Sequence, residues 1–344
     1  MKASQIRAVL IANQSDPIMI WGPPGVGKSD LIRQVAEETG RKVFDKRMAL
    51  MDPTDWRGIP TVDGDKARWL QPSDLPQEED GPTILFLDEI NAAPPLVQAS
   101  AYQLILDRAI GEYKLPDNVQ IIAAGNRRQD RAVTHRMPAP LRSRFLTHIE
   151  FELSVEDWIR WAQGKTLSPD IVSFIEKQYG TEATEGRADW PLFDFSQVSK
   201  DESFPTPRTW TYVAKIYDSI KEDLEGTRHE LIQGTIGAAT AEMFRAFVTT
   251  LKDLPDVSVV LKDGETPELP RMDIRYAFIR RVSAAVSPDK QELNNVINYA
   301  KVLSPEYGVL LIKAIIDRKG EVLDALQTAD GFNEWAMEHA EIIV

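Results

Sequence analysis

The sequence predicts an α/β protein: a parallel five-stranded sheet covered by helices over residues 1–153, a helical lid over 154–225 and a C-terminal helical extension over 226–344. Three observations carry this prediction. Short apolar runs alternate with helical patterns through the first 150 residues, as in a parallel sheet flanked by helices. After Leu153 the strand-like runs stop and helical patterns take over. Two short insertions, 59–70 around Asp63-Gly64 and 109–115 around Gly111, carry hairpin signals and would project from the sheet.

The five strands are expected at 17–21, 43–50, 83–88, 119–125 and 147–153. Between them LIRQVAEE and PLVQASAYQLILDRA have helical patterns, with Gly40 and Gly111 placed to end them as C-terminal caps. The helical part opens at Ser154 with Asp157 three residues on, a capping-box-like start. An acidic, proline-containing stretch over 180–207 reads as a loop between helices. Further on, Ser287-Pro288 and Ser304-Pro305 each set a capping hydroxyl before an N1 proline. Trp158 and Trp161, at i and i+3 on a helix, are expected in the core.

With 344 residues, 43% of them hydrophobic, the chain has the material for a sizeable core and two or three domains. No apolar run reaches the roughly 18 residues of a membrane span, and the opening residues lack a secretory signal pattern. The absence of cysteine excludes disulfides, thiolate zinc sites and cysteine nucleophiles, and is in keeping with a cytoplasmic location. A net charge of -13 works against broad binding to a nucleic-acid backbone. The acidity is uneven: residues 1–150 carry 19 basic and 20 acidic side chains, leaving 21 and 33 for the rest. Residues 127–144 hold six arginines against the single Asp130.

Residues 22–29 read GPPGVGKS, fitting G-x-x-x-x-G-K-[ST] between a strand and a helix. This is the pattern of a P-loop, in which Gly22, Pro23, Pro24, Gly25, Val26 and Gly27 wrap the backbone around phosphate. Lys28 then reaches the terminal phosphates and Ser29 can ligate magnesium. The run ILFLDEI delivers Asp88 and Glu89 to the C-terminal edge of the sheet, where ligands bind. Asp88 can hold magnesium through water and Glu89 can polarise the attacking water. VQIIAAG ends at Asn126, whose amide could orient that water or sense the γ-phosphate; a lone asparagine after a strand is usually a turn residue, but its place at the edge of a parallel sheet favours the functional reading. ATP and Mg2+ are therefore the expected ligands, and no N-K-x-D sequence favours GTP.

In order and spacing, GPPGVGKS, ILFLDEI, IIAAGN, PLRSRF at 140–145 and PTPRTW at 205–210 resemble the AAA+ ATPases. DPTDWRGIP at 52–60, the two hairpins and residues 88–118 look like the MoxR branch and the related dynein-type AAA domains. The resemblance implies Walker A at 22–29, a Walker B pair at Asp88 and Glu89, and sensor 1 at Asn126. It implies an arginine finger at Arg144, with Arg142 as a second candidate, and sensor 2 at Arg208. Arginines aimed at a triphosphate across a subunit boundary would account for the basic stretch, although Arg127, Arg128, Arg131 and Arg136 read as solvated charge.

The resemblance further implies a chaperone-like ring, hexameric in expectation, that remodels a protein client alongside a von Willebrand factor A domain partner. A nucleic-acid translocase and a metal-chelatase motor subunit remain as alternatives. His135, His148, His229 and His339 show no metal-ligand spacing and read as structural or surface residues, while Trp56 and Trp69 bracket the first hairpin without an assigned site.

Overall fold

The computed structural model describes residues 1–127, 135–165, 167–179, 203–220, 226–269, 271–318 and 320–339. Its described residues divide into two compact units, residues 1–154 and those from 155 onward. Most of the loop expected at 180–207, together with Arg128 and Arg131, lies outside the described residues.

The first unit contains strands β1 (Ile18–Trp21), β2 (Lys42–Arg47), β3 (Ile59–Asp63), β4 (Lys66–Leu70), β5 (Thr83–Asp88), β6 (Ala109–Ile110), β7 (Tyr113–Lys114), β8 (Val119–Gly125) and β9 (Thr147–Glu150). Its helices are α1 (Ala3–Ala12), α2 (Lys28–Thr39), α3 (Pro53–Arg57), α4 (Pro95–Asp107) and α5 (Ala139–Arg142). Five strands form one sheet in the order β2-β5-β8-β1-β9, every neighbouring pair parallel.

Alternation along the central strands feeds two cores, because successive side chains leave a strand on opposite faces. Ile18, Ile20, Ile84, Phe86 and Ile122 pack with Ile6 and Leu10 of α1 and Ile32 and Val35 of α2. Met19, Leu85, Leu87, Ile121 and Ala123 pack on the other face with Val97, Ala101 and Leu104 of α4. Burial on both faces explains why these strands read as continuous apolar runs.

Both insertions are hairpins. In the first, Asp63 pairs with Lys66, so the turn residues are Gly64-Asp65 rather than Asp63-Gly64. In the second, Gly111 occupies the turn and is not a helix cap; the left-handed cap of α4 is Arg108, at φ 49°. The Arg108 guanidinium donates to the carbonyls of Pro116 (2.5 Å) and Val119 (2.7 Å), which holds this unusual residue in place. Gly40 does cap α2 in the left-handed conformation. Trp56 is fully buried in the core beside Met48 and Leu75, whereas Trp69 is half-buried on β4.

The second unit is helical among its described residues: α6 (Val155–Gly164), α7 (Pro169–Tyr179), α8 (Pro207–Ser219), α9 (Thr227–Ile236), α10 (Ala238–Thr250), α11 (Ser258–Leu261), α12 (Met272–Ala285), α13 (Lys290–Val302), α14 (Pro305–Arg318), α15 (Glu321–Thr328) and α16 (Phe332–Glu338). Pro305 opens α14 directly after Ser304, as the sequence predicts. At α13 the cap is Asp289, which accepts from the amides of Gln291 and Glu292, while Ser287 bonds the Glu292 carboxylate instead. One core gathers Trp158, Phe174, Trp210, Phe244 and Phe247, with Trp161 packed against it. A second gathers Phe278, Leu293, Ile297, Leu311, Ile315 and Trp335.

Helices α7 and α12 are joined by two fork-like ion pairs. Arg280 meets Glu176 at 2.8 and 2.5 Å, and Arg281 meets Asp170 at 2.7 and 2.9 Å. Tyr217 of α8 also donates to Asp170, at 2.8 Å, and burial, with the Asp170 charge second, pushes its hydroxyl above the ordinary tyrosine range. Arg280 is only 6% exposed, so removing its partner strands a charge away from water. Glu176→Ala is therefore expected to lower the stability of this unit by about 3 kcal/mol, measured as a shift in urea unfolding with an unchanged m-value.

Candidate phosphate-binding site

The three motif-bearing strands β5, β8 and β1 are immediate neighbours and end at the same edge. Trp21, the last residue of β1, pairs with Gly125, the last of β8; the amide of Gly22 then donates to the Gly125 carbonyl at 3.2 Å. From there the chain loops to Gly27, whose φ of 106° is a conformation side chains rarely adopt, and α2 starts at the next residue. The abrupt start leaves the unpaired amides of the first helical turn, with their partial positive charge, at the end of the loop.

Lys28 is 7% exposed, with its ammonium turned back over the loop. Nζ donates to the carbonyls of Gly22 (2.7 Å) and Pro23 (3.0 Å) and to Oδ1 of Asn126 (3.0 Å). Ser29 Oγ donates to Oδ2 of Asp88 at 2.8 Å. One lysine and one serine on successive residues thus tie the loop to the ends of both β8 and β5. A hydroxyl and a carboxylate oxygen at this separation form a hard-oxygen donor pair that suits Mg2+, an ion bound through one or two protein oxygens plus water and phosphate. Among the described residues no group of three or more His, Cys, Asp or Glu could form an all-protein metal cage.

Glu89 is exposed and has φ 56°, one of two non-glycine residues at positive φ among the described residues. Its amide donates to Oδ1 of Asp88 at 2.9 Å and its carbonyl accepts from Ala92, so the chain turns sharply as it leaves β5. The turn comes at a cost in backbone strain.

Two residues not selected from the sequence organise this edge. Asn91 is buried; its Nδ2 donates to the Asn126 carbonyl at 2.7 Å and its Oδ1 accepts from the Asn126 amide at 3.1 Å. The available signal was its place two residues after the acidic pair in DEIN, together with Gly125 opposite, where a Cβ would lie 2.6 Å from Asn91 Oδ1. His148, read as structural or surface, accepts at Nδ1 from Trp21 Nε1 (3.0 Å), since an indole nitrogen only donates. Its Nε2 therefore carries the hydrogen and bonds the Arg142 carbonyl at 2.8 Å.

The candidate arginines are placed as follows. Arg142 ends α5 with its side chain exposed. Arg144, also exposed, bonds the Tyr102 hydroxyl at 3.3 Å, with its guanidinium 5.7 Å from the Tyr102 ring centre. Arg208 is an exposed residue in the first turn of α8, in the second unit. Of the arginines read as solvated charge, Arg127 pairs with Glu150 at 3.4 Å and Arg136 is exposed.

A phosphate-cradling loop, a serine–aspartate oxygen pair and an asparagine on adjacent parallel strands define a nucleotide-binding P-loop domain. Residues 17–145 match the AAA domain of the dynein-related subfamily. Two MoxR proteins are similar to this chain. That of Methylorubrum extorquens is 31% identical over 141 residues, covering 39% of this chain and 40% of that protein. That of Paracoccus denitrificans is 29% identical over 155 residues, covering 43% and 45%. The RuvB subunit of the Holliday junction branch migration complex from Staphylococcus saprophyticus is 27% identical over 239 residues, covering 63% and 64%. The chain thus spans less than half the length of the MoxR relatives it matches. Residues 17–145 are thus similar to AAA domains of the dynein-related subfamily, and part of the chain is similar to MoxR proteins.

The positive φ of Glu89 has a measurable consequence. Relief of a left-handed penalty of about 1–2 kcal/mol, less the entropy cost of a glycine, predicts that Glu89→Gly gains roughly 0.5–1 kcal/mol. Thermal unfolding of the two proteins in the absence of nucleotide checks this; a fall in Tm would show the turn to be unstrained.

Proposed function

We propose that this chain binds ATP with Mg2+ and hydrolyses it as one subunit of a ring, using the cycle to remodel a protein client. The observation that carries the reading is the convergence of Lys28 on Asn126 and of Ser29 on Asp88, which brings three separate motifs into one cluster. Lys28 would bind the terminal phosphates, with the amides of Gly25, Val26 and Gly27 lining the anion. Ser29 and Asp88 would hold Mg2+, which supplies neutralisation of the phosphate charge when bound. Glu89 would accept the proton of the attacking water, and Asn126 would orient that water.

Arg144, with Arg142 beside it, would act on the nucleotide of a neighbouring subunit, and Arg208 would reach the nucleotide of its own chain. Residues 154–225 would serve as the lid and 226–344 as an extension that positions the client or a von Willebrand factor A domain partner. A hexamer in the cytoplasm is the assembly this reading favours.

The similarity to a RuvB subunit supports a second reading, a motor on DNA. The net charge of -13 opposes it.

Lys28→Ala is expected to abolish nucleotide binding, whereas Glu89→Gln should keep ATP bound and hydrolyse it at least about a hundredfold more slowly. Steady-state phosphate release and nucleotide titration separate the two variants. Stimulation of the wild type by double-stranded DNA, with none by protein, would move the assignment to the second reading.

Action across a subunit boundary has its own test. Arg144→Ala and Lys28→Ala subunits, each inactive alone, should regain part of the wild-type hydrolysis when co-assembled, because some interfaces then combine an intact loop with an intact arginine. No recovery in rings shown to contain both would place the working arginine elsewhere.

A further inference from the structure

The β5–β8 ladder ends at Leu87 opposite Ala123, and the β1–β8 ladder ends at Trp21 opposite Gly125. Asn126 lies one residue past the second of these, yet it is 8% exposed. A backbone amide and carbonyl buried there need partners that no strand supplies. Asn91 supplies both with one side chain, donating to the Asn126 carbonyl (2.7 Å) and accepting from its amide (3.1 Å). Asparagine and glutamine are the side chains that offer a donor and an acceptor in one plane, and a reversed amide would set donor against donor. The Asn91 backbone is itself anchored, since its carbonyl accepts from the amide of His135 (2.6 Å) and the preceding Ile90 amide donates to Ala124 (3.0 Å).

Gly125 is part of the same arrangement. A Cβ at this position would stand 2.6 Å from Asn91 Oδ1 and 2.8 Å from Met19 Cε. The close approach of the Asn91 amide to β8 thus requires the glycine. With its backbone held on both sides, Asn126 presents Oδ1 to Lys28 Nζ at 3.0 Å.

We propose that Asn91 is a positioning residue for the nucleotide site: its side-chain amide extends β8 by one residue and so fixes Asn126 against Lys28, coupling the chain leaving the acidic pair to the residue facing the terminal phosphate. The proposal rests on the ATPase reading above. It assigns to Asn91 no contact with nucleotide. Its effect passes through Asn126, so loss of Asn91 should impair what Asn126 does and leave the rest of the cradle working.

The test uses full-length wild type, Asn91→Ala, Asn91→Asp, Asn126→Ala and the double variant Asn91→Ala with Asn126→Ala. Asn91→Asp is nearly the same size but cannot donate to the Asn126 carbonyl, which keeps the test valid if the alanine variant unfolds. Expected for both Asn91 variants are ADP affinity within about threefold of wild type and a fall in kcat of about tenfold or more, on the scale of a mispositioned group. The double variant should be no slower than Asn126→Ala alone, because two residues acting through one point are not additive. Amide hydrogen exchange at Asn126 should also be faster in both Asn91 variants.

A wild-type kcat in folded Asn91→Asp, or multiplication of the two single effects in the double variant, overturns the proposal and leaves the ATPase reading standing. Failure of the wild type to hydrolyse ATP overturns that reading instead. In that event Asn126 exchange, together with selectivity for a non-hydrolysable ATP analogue over ADP, decides whether Asn91 holds the site.

Discussion

Everything at the candidate site depends on parallel register across three strands. Because β5, β8 and β1 run in the same direction and stop within about a residue of one another, the segments following them emerge side by side at one edge. A hydroxyl on the first turn of α2 can then touch a carboxylate 59 positions away, and an ammonium can touch an amide 98 positions away. A one-residue slip of β8 would carry Asn126 away from Lys28 and turn Ile122 and Ala123 to the opposite cores. The two apolar layers on the sheet therefore hold the geometry of the polar edge as well as the fold.

The edge is also where the chain departs from ordinary backbone rules. Glu89 takes a left-handed conformation as the chain leaves β5, and Gly27 takes a positive φ immediately before α2. Strain of this kind persists where surrounding contacts over-determine it. At Glu89 these are the Asp88 side chain on its amide and Ala92 on its carbonyl. Arg108, the other such non-glycine residue, is held by two carbonyls beneath its own guanidinium, at a hairpin rather than at the site. Positive φ at a large residue thus marks over-determination, and only the neighbouring chemistry separates a functional turn from a structural one.

The sheet was legible from sequence because its central strands are buried on both faces and bounded by turn residues, which leaves uninterrupted apolar runs at 84–87 and 121–124. The phosphate loop was legible because glycine spacing there is dictated by backbone geometry. Asn91 was not, since a single asparagine after a strand resembles any turn residue until the position of β8 is known. The same holds for His148, whose two ring nitrogens bond Trp21 and Arg142 without any local spacing to reveal it. The helix start expected at Ser287-Pro288 falls two residues later, because Asp289 caps the amides of Gln291 and Glu292 with a charged acceptor while Ser287 bonds the Glu292 carboxylate.

In the second unit, the packing runs across the boundary expected from sequence near residue 226. Arg280 and Arg281 of α12 grip Glu176 and Asp170 of α7, and Ala277 of α12 is buried in the same core as Phe174 and Trp210. A chain ending before α12 would lose both guanidinium partners of α7 and expose that core. Buried carboxylates without their partners cost several kcal/mol each. Val302 and Met337, by contrast, are 66% and 81% exposed on helices whose buried faces already complete the second core, so substitutions there leave the packing of the unit in place.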